Sequence, residues 1–335
     1  MRPFKYSRIN DLNAATQMLT ANQNAKFLAG GTNILDLMKE DVERPDELID
    51  ITRLTLTEVK KISGGSNKDG VSIGGLGKNT DTANHPMIRQ NFPLLTQAIL
   101  AGASVQIRNM ATNGGNLNQR TRCSYFYDIA MPCNKREPGS GCGAFEGINR
   151  MHAIFGWSEK CVAVNPSDMC VALAALDAVV KVQGASGQER IIPFAEYHRL
   201  PGDTPQKDNN LNQGELITAI EIPKNNFANN SYYLKVRDRS SYAFALVSVA
   251  AALELEGSTI KQVRIAMGGV SHKPWRAAEA EKMLVGKQAT EANFKQAAEA
   301  EMKQAKPLEH NKYKVELGKR AIVRALQMAM NGNNR

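Results

Sequence analysis

Four of the five cysteines in this sequence lie within one stretch that is rich in glycine and asparagine, at Cys123, Cys133, Cys142 and Cys161. Thiolates grouped in this way bind zinc or iron–sulfur clusters, or the cysteines form disulfides. The fifth cysteine, Cys170, starts the apolar run of residues 170–176, where a thiol usually serves as a small core residue. The sequence therefore predicts a site built from four thiols, without Cys170.

The spacing of the four cysteines, C-x9-C-x8-C-x18-C, lacks the C-x-x-C pairs of structural zinc sites and the compact pattern of bacterial ferredoxins. Two disulfides remain an alternative, because four cysteines can pair twice. The lone His152 is interpreted as a structural residue, since four thiolates already complete a cluster's ligand set. The stretch is mostly loop, as needed to wrap thiolates around a cluster, with turn residues at Pro132, Pro138, Gly139, Gly141, Gly143 and Gly147.

Two glycine pairs mark a second kind of candidate site, in residues 28–33 (Leu-Ala-Gly-Gly-Thr-Asn) and 112–116 (Thr-Asn-Gly-Gly-Asn). Glycine lets backbone amides approach a pyrophosphate closely, and a helix that starts nearby adds unpaired N–H donors. One such pair alone is more often only a turn, and neither segment contains the G-x-G-x-x-G dinucleotide fingerprint. Two similar segments together predict a diphosphate held from both sides, and hence a ligand such as FAD.

Composition excludes several classes of protein. With 335 residues, of which 42% are hydrophobic and 22% charged, the chain is long enough for two or three globular domains. Residues 1–6 lack the apolar run of a signal peptide, and no stretch reaches the length of a membrane span. The net charge of +9 comes from scattered Lys and Arg, which argues against nucleic-acid binding and leaves a basic surface for an acidic partner or an anionic cofactor.

Hydrophobic periodicity predicts three successive units. A small α/β unit extends to about residue 57, with a helix capped by Asn10 or Asp11, a strand at 26–29 and a strand at 48–51. A second α/β unit has strands at 71–76, 179–182 and 216–222, helices at 93–101 and 168–178, and a glycine loop at 111–117. An α+β unit follows from about residue 226, with strands near 232–236, 243–255 and 263–267 and then two or three helices ending near Met330.

Four segments together resemble the FAD-binding medium subunit of molybdenum hydroxylases, the xanthine dehydrogenase family. They are residues 26–33, 106–116, 166–168 (Pro-Ser-Asp) and 235–239 (Lys-Val-Arg-Asp-Arg), and the resemblance covers essentially the whole chain. It implies an α+β protein with a two-subdomain α/β FAD-binding fold of the vanillyl-alcohol oxidase/PCMH type, followed by an α+β domain of the CO dehydrogenase flavoprotein type. The implied domains are 1–57, 58–225 with an insertion at 118–162, and 226–335.

The resemblance also implies which residues line FAD. Asp168 would accept a hydrogen bond from a ribityl or ribose hydroxyl, Lys235 would lie near the isoalloxazine ring, and Ile217 would be an apolar ring contact. From the residues alone, Asp168 could simply cap the following helix and Lys235 could be an exposed strand lysine. The full implied set is Lys26, Phe27, Leu28, Ala29, Gly30, Gly31, Thr32, Asn33, Ile34, Leu35, Ala103, Thr112, Gly114, Gly115, Asn116, Asp168, Ile217 and Lys235.

The cysteine-containing insertion has counterparts in two kinds of relative, the middle subunits of bacterial periplasmic aldehyde oxidoreductase and of 4-hydroxybenzoyl-CoA reductase. Both hold an extra [4Fe-4S] cluster there, and residues 122–128 and 133–142 are more similar to the aldehyde oxidoreductase version. The resemblance therefore implies that Cys123, Cys133, Cys142 and Cys161 bind a [4Fe-4S] cluster. Nearby side chains that would tune such a cluster are Arg122, Asn134, Lys135 and Arg136.

The implied function is electron transfer within a heterotrimeric molybdenum-dependent aldehyde oxidoreductase, which converts an aldehyde and water to a carboxylic acid. A large subunit would hold molybdopterin cytosine dinucleotide and a small one two [2Fe-2S] clusters, with FAD here passing electrons to an external acceptor. No residue of this chain needs to act as a catalyst. The expected location is the periplasm, reached through a partner's twin-arginine signal, with the cytoplasm as the alternative.

The sequence leaves three other functions open. The first is the medium subunit of a 4-hydroxybenzoyl-CoA reductase-like or xanthine dehydrogenase-like enzyme. The second is a stand-alone flavin oxidase of the vanillyl-alcohol oxidase type, for which the C-terminal region is small. The third is a non-enzymatic scaffold whose cysteines bind zinc and whose glycine segments are only turns.

Overall fold

Three β-sheets follow one another along the chain in the computed structural model, which describes residues 1–332. Helices pack around each sheet, so the predicted mixture of helix and strand is confirmed. Residues 333–335 of the predicted C-terminal domain lie outside the described residues. Within residues 1–332, no helix has both the length and the apolar composition to cross a membrane.

The first sheet is parallel and has the strand order β1-β3-β2, with β1 at Lys5–Arg8, β2 at Ala25–Leu28 and β3 at Glu47–Asp50. Parallel strands need crossover connections, and α1 (Leu12–Ala21) and α2 (Ile34–Lys39) supply them. Helix α1 begins where predicted, because the Asp11 carboxylate accepts a hydrogen bond from the Ala14 amide at 2.8 Å.

The second sheet is antiparallel and has the order β4-β5-β8-β6-β7. Its strands are β4 (Val59–Lys61), β5 (Val71–Gly74), β6 (Val179–Gln183), β7 (Glu189–Pro193) and β8 (Leu216–Ile222). The segment between β5 and β6 forms α3 (Asn79–Asn84), α4 (Pro86–Asn91), α5 (Pro93–Ala101), α6 (Val105–Met110), α7 (Asn113–Leu117), α8 (Ser124–Tyr127), α9 (Gly143–Glu146) and α10 (Asp168–Ala175), and α11 (Phe194–Tyr197) follows β7.

Two elements of this unit differ from the predictions. The second glycine segment, predicted as a loop, forms helix α7, because the Thr112 hydroxyl caps it by accepting from the Gly115 amide at 3.2 Å. Helix α10 ends at Ala175 rather than near residue 178, because Asp177 adopts a left-handed backbone conformation with φ of 52°.

The third sheet is antiparallel, with the order β12-β11-β10-β9. Its strands are β9 (Ser231–Val236), β10 (Val247–Glu256), β11 (Thr259–Gly268) and β12 (Trp275–Arg276), and the helices after them are α12 (Ala278–Leu284), α13 (Glu291–Met302) and α14 (Tyr313–Met330). Side chains of β10 alternate between two cores: Val249 and Ala251 pack towards α13 and α14, whereas Ala250 and Ala252 pack towards α5 and α10. This sheet is therefore covered on both faces, which explains the nearly continuous apolar run of β10.

The predicted domain boundaries at 57 and 225 fall between sheets, the first between β3 and β4 and the second between β8 and β9. The core that contains Ala250 and Ala252 also contains Leu95, Leu173 and Ile220 from the second unit. The third sheet thus shares a core with the preceding unit, and the division into domains remains a prediction.

A charged cluster around Asp208 joins three distant segments of the chain. The Asp208 carboxylate accepts from the Lys135 ammonium at 2.5 Å and from the Arg120 guanidinium at 2.8 Å, and Arg120 also binds Glu43 at 2.6 Å. The Lys135 side chain is only 1% exposed. Burial alone would raise the pKa of Asp208, but Lys135 and Arg120 outweigh it and hold the pKa below its usual range.

We expect Asp208→Asn to lower the free energy of unfolding by about 3 kcal/mol at pH 7, because it leaves Lys135 as an uncompensated buried charge. Since the native pKa of Asp208 lies below its unfolded value, this contribution is present above about pH 4 and is lost as the pH falls further. The difference between wild type and variant, measured by denaturant unfolding from pH 7 to pH 3, should therefore shrink on acidification. Asp203→Asn, at an exposed position of the same loop, should change little at any pH, and an equal loss in both variants would contradict the assignment.

Candidate functional site

A cavity of about 1580 Å³ lies where the first sheet, helices α6 and α7, and the start of α10 meet. All but two of the residues predicted to bind a cofactor line it. They are Lys26, Phe27, Ala29, Gly30, Gly31, Thr32, Asn33, Ile34, Ala103, Thr112, Gly114, Gly115, Asn116, Asp168, Ile217 and Lys235. Segments far apart in sequence therefore form one site, and it is large enough for an extended dinucleotide.

The two exceptions are Leu28 and Leu35, which the structure does not place on the cavity wall. Both side chains pack behind the glycine turn: a Cβ added to Gly31 would lie 2.9 Å from Leu35 Cδ1 and 3.4 Å from Leu28 Cδ1. These leucines support the turn from its apolar side, so their side chains do not face the cavity.

The first glycine segment presents unused hydrogen-bond donors to the cavity. The N–H groups of Gly31, Thr32, Asn33 and Ile34 donate to no acceptor within residues 1–332, and Gly31 has a φ of 73° that glycine adopts without strain. The Asn33 carboxamide oxygen accepts from the Arg120 amide at 2.9 Å, but its buried Nδ2 atom has no partner in that part of the chain. Buried donors without acceptors are costly, so this segment is arranged for an anionic ligand such as a diphosphate.

The second glycine segment has a different role from the one predicted. The amides of Asn113 to Asn116 are already paired: Asn113 N donates to Gly77 O at 2.9 Å, and Gly114 N donates to Gly75 O at 2.7 Å. Within residues 1–332, only the Thr112 amide of this segment donates to no acceptor. The buried Asn113 side chain also donates to Gly74 O and exchanges hydrogen bonds with Thr82. These bonds fasten α7 to the second sheet, so the segment forms a rigid wall of the cavity, and its amides from Asn113 to Asn116 are not free to bind a ligand.

Gly30 is required because two backbones approach each other there. A Cβ at this position would lie 2.0 Å from the carbonyl oxygen of Met110, at the end of α6, which is well inside van der Waals contact. This close approach holds the turn with the free donors against the end of α6. The turn and α7 both contribute to the wall of the same cavity.

Asp168 and Lys235, predicted separately, form a buried ion pair at one end of the cavity. The Lys235 ammonium lies 2.7 Å from Asp168 Oδ2, with side-chain exposures of 5% and 9%. Lys235 also donates to Ala101 O at 3.1 Å, and the Tyr233 hydroxyl donates to Asp168 Oδ1 at 2.6 Å. The cap of α10 is Ser167, whose hydroxyl accepts from Cys170 N at 3.0 Å, so Asp168 is not needed as a cap.

Several cavity residues were missed by the sequence analysis. The polar loop from Gln206 to Glu215 closes one side of the cavity, and Arg108, Arg120, Tyr242 and Phe244 also line it. The available signal was the Asn-rich composition of residues 208–213, which is typical of a loop exposed to a polar ligand. The position of the Arg120 side chain on the cavity wall is set by its ion pairs with Glu43 and Asp208. Both partners are far away in sequence, so no local pattern predicts this position.

The four predicted ligand cysteines lie around a second, smaller cavity. Cys123, Cys133, Cys142 and Cys161 all line it, whereas Cys170 is buried in the core between α10 and the second and third sheets. Cys133 and Cys142 face each other in an isolated antiparallel bridge, and all five cysteines are free thiols. Within residues 1–332, no three His, Cys, Asp or Glu side chains are grouped so as to hold a single metal ion.

The environment of these thiols is dry but contains hydrogen-bond donors. Burial raises the pKa of Cys123 to about 12 and that of Cys161 to about 11, although backbone amides of Phe126 and Tyr125 interact with Cys123 and the amide of Ala163 interacts with Cys161. A deprotonated sulfur at these positions therefore needs a compensating positive charge. A metal cluster supplies that charge, and the amides are typical of cluster sites.

The side chains predicted to tune a cluster differ in their distance from the cavity. Asn134 and Lys135 line it, and Asn134 also orders the turn by accepting from the Gly139 and Gly141 amides at 3.0 Å each. Arg136 instead donates to backbone carbonyls of residues 125, 126 and 131, and Arg122 pairs with Asp36 at 3.3 Å. Arg136 thus stabilises the fold of the insertion.

Lys235→Met should lower the free energy of unfolding by about 3 kcal/mol, because it leaves the Asp168 carboxylate buried without its cation. Lys261→Met is the matched control: Lys261 is 59% exposed in its pair with Glu254, and the change should stay within about 1 kcal/mol. Denaturant unfolding of both variants measures the difference. Equal losses would show that the Asp168–Lys235 pair has no special role.

Comparisons with known proteins agree with this geometry. Residues 2–225 match the family described as the FAD binding domain in molybdopterin dehydrogenase, and residues 232–329 match the CO dehydrogenase flavoprotein C-terminal domain. The chain is 45% identical over 329 residues to the aldehyde oxidoreductase FAD-binding subunit PaoB of Escherichia coli (strain K12), covering 98% of this chain and 99% of that protein. It is 31% identical over 288 residues to the glyceraldehyde dehydrogenase medium chain of Sulfolobus acidocaldarius, covering 86% and 83%.

A solved structure of carbon monoxide dehydrogenase from Hydrogenophaga pseudoflava is similar over 99% of both chains, with a TM-score of 0.76 and 25% sequence identity. The predicted fold, a two-part FAD-binding region followed by a C-terminal domain of the CO dehydrogenase flavoprotein type, is confirmed. The predicted resemblance is confirmed as well, and with it the binding of FAD. The chain belongs to the FAD-binding medium subunits of the molybdenum hydroxylases and is an oxidoreductase subunit.

Proposed function

We propose that this chain is the FAD- and [4Fe-4S]-containing electron-transfer subunit of a heterotrimeric, molybdenum-dependent aldehyde oxidoreductase. The partners would oxidise an aldehyde with water to a carboxylic acid, and electrons would pass from [2Fe-2S] clusters through FAD to an external acceptor. The similarity to two proteins named for aldehyde substrates, at 45% and 31% identity, supports this choice of reaction.

The large cavity fits FAD by the chemistry of its donors. The free N–H groups of residues 31–34 and the unpartnered Asn33 Nδ2 would hold the diphosphate, and the paired amides of α7 would form the opposite wall. FAD, when bound, supplies the redox chemistry, and this chain's residues position it and exclude water. The buried Lys235 keeps a positive charge at the end of the cavity next to Asp168.

The arrangement of the thiols carries the cluster proposal. Four cysteines of one loop-rich insertion line one cavity. Their spacing lacks the C-x-x-C pairs that are typical of structural zinc sites. The spacing therefore favours a [4Fe-4S] cluster over zinc.

The partners we propose are a large subunit with molybdopterin cytosine dinucleotide and a small subunit with two [2Fe-2S] clusters. The cysteine-containing insertion exposes three large apolar side chains, with 51% of Ile129, 43% of Met131 and 65% of Ile148 accessible. Exposed apolar side chains of this size are compatible with a subunit interface in the insertion. We also propose a periplasmic location, with export in the folded complex through a partner's twin-arginine signal.

Gly30→Ala tests the flavin site. Because the added Cβ would clash with Met110 O, we expect FAD binding to weaken at least tenfold, which is about 1.4 kcal/mol or more. Gly64→Ala is the control, since a Cβ at that position meets nothing within 4 Å. The measurement is the ratio of flavin to protein absorbance after gel filtration of the complex, and normal FAD content in Gly30→Ala would contradict the assignment.

Iron, acid-labile sulfide and FAD content per chain tests the cluster. We expect about four irons, four sulfides and one FAD in anaerobically purified wild type. Cys142→Ser should lose iron and keep FAD, whereas Cys170→Ala should keep both, because Cys170 lies in the core and away from the cysteine cavity.

The other outcomes each exclude part of the proposal. Flavin without iron, or zinc in place of iron, would overturn the cluster. A wild-type chain with neither flavin nor iron would overturn the electron-transfer function.

A further inference from the structure

His152 lies between the two sites. Its Nε2 atom is 3.1 Å from Cys123 Sγ, and the residue is only 5% exposed. It also lines a third cavity of about 360 Å³, which shares Asp168 with the flavin cavity and Cys123 with the cysteine cavity. The ring therefore borders a cavity that adjoins both sites.

The direction of the His152–Cys123 hydrogen bond follows from the chemistry of the sulfur. A cysteine sulfur bound to iron carries no proton, so it can only accept. The contact then requires the proton on Nε2 of the imidazole, in either the neutral or the cationic ring. Nδ1 is buried and has no partner within residues 1–332, and a bare acceptor there costs less than a buried N–H without an acceptor. Both considerations place the proton on Nε2.

The C-terminal unit holds His152 in this position. Asn311 Nδ2 donates to the carbonyl oxygens of His152 and Ala153 at 3.2 Å each. The fully buried Lys314 ammonium, in the first turn of α14, donates to Met151 O and His152 O at 3.0 Å and to Gly269 O at 2.7 Å. Burial lowers the pKa of Lys314 to about 7, while the three carbonyl acceptors favour its charged form. The backbone of residues 151–153 is thereby fixed, and with it the direction of the ring.

We propose that His152 is a positioning residue that donates a hydrogen bond to the sulfur of Cys123 and raises the reduction potential of the [4Fe-4S] cluster. This inference rests on the cluster proposed above. Reduction adds negative charge to the cluster and its sulfurs, and an N–H dipole directed at one sulfur stabilises that charge. His152 is not a ligand in this arrangement, because the four thiolates complete the set.

The test is a redox titration of the cluster, followed by EPR, in the intact complex. His152→Leu removes the donor, and we expect the equilibrium constant for one-electron reduction to fall about tenfold, which is a midpoint potential lower by about 59 mV. His152→Gln places an amide N–H near the Nε2 position and should restore most of the potential. His310→Leu is the control and should leave the potential unchanged. His310 is exposed, and it is its backbone amide that donates a hydrogen bond to Asn149, which the substitution keeps.

A second measurement gives its main result in the wild type, so that result does not depend on whether a variant assembles its cluster. Pulsed EPR of the reduced cluster in protein labelled with ¹⁵N-histidine should show coupling to one histidine nitrogen, and the His152→Gln protein should lose it. About eight irons per complex, four of them from the two [2Fe-2S] clusters, with an unchanged potential in His152→Leu would overturn the role of His152 alone, as would no histidine coupling in the wild type. Only about four irons per wild-type complex would instead overturn the [4Fe-4S] cluster.

Discussion

The buried ion pair between Asp168 and Lys235 is the interaction on which the flavin cavity most depends. Asp168 begins α10 and Lys235 lies on β9, so the pair joins the FAD-binding region to the third sheet. Lys235 also binds the last carbonyl of α5, and Tyr233 fixes the other oxygen of Asp168. A charge pair with exposures below 10% is stable only when its remaining hydrogen bonds are made. These additional bonds meet that condition and set the distance between the two regions.

The two glycine segments show how similar sequences acquire different roles from their surroundings. Gly31 allows a turn whose amides stay free, and Asn33 adds a buried donor without a partner. Gly114 lies in a helix whose first amides are already used by Gly75 and Gly77. The first segment can bind an anion, whereas the second positions the wall opposite. Unpaired backbone donors therefore lie chiefly on one side of the cavity.

Local patterns in the sequence predicted many elements well. Helix α5 at Pro93–Ala101 and the Asp11 cap of α1 depend on residues a few positions apart, and a proline or a carboxylate specifies them directly. The sequence also predicted that the four cysteines lie together, because they occur in one loop-forming stretch without the periodicity of a helix or a strand. The predicted ligand roles themselves stay predictions, although the structure places the residues together.

Features that depend on contacts between distant segments were not predictable. The sequence does not reveal that Asp208 pairs with Lys135 and Arg120, or that His152 meets Cys123, because these partners are brought together only by the tertiary fold. The helical state of α7 was missed for a related reason: two glycines disfavour a helix locally, and the Thr112 cap and the bonds to β5 and the turn after it outweigh that cost.

The contacts of Asn311 and Lys314 with residues 151–153 bear on the order in which the protein folds. The cysteine stretch emerges from the ribosome long before Asn311 and Lys314. These two later residues nevertheless donate hydrogen bonds to the backbone carbonyls of Met151 and His152, which lie within that stretch. The bonds that fix the backbone of residues 151–153 can therefore form only after synthesis has reached the last helix. The final placement of His152 beside Cys123 thus depends on the order in which the chain is made, with its last-made helix acting last.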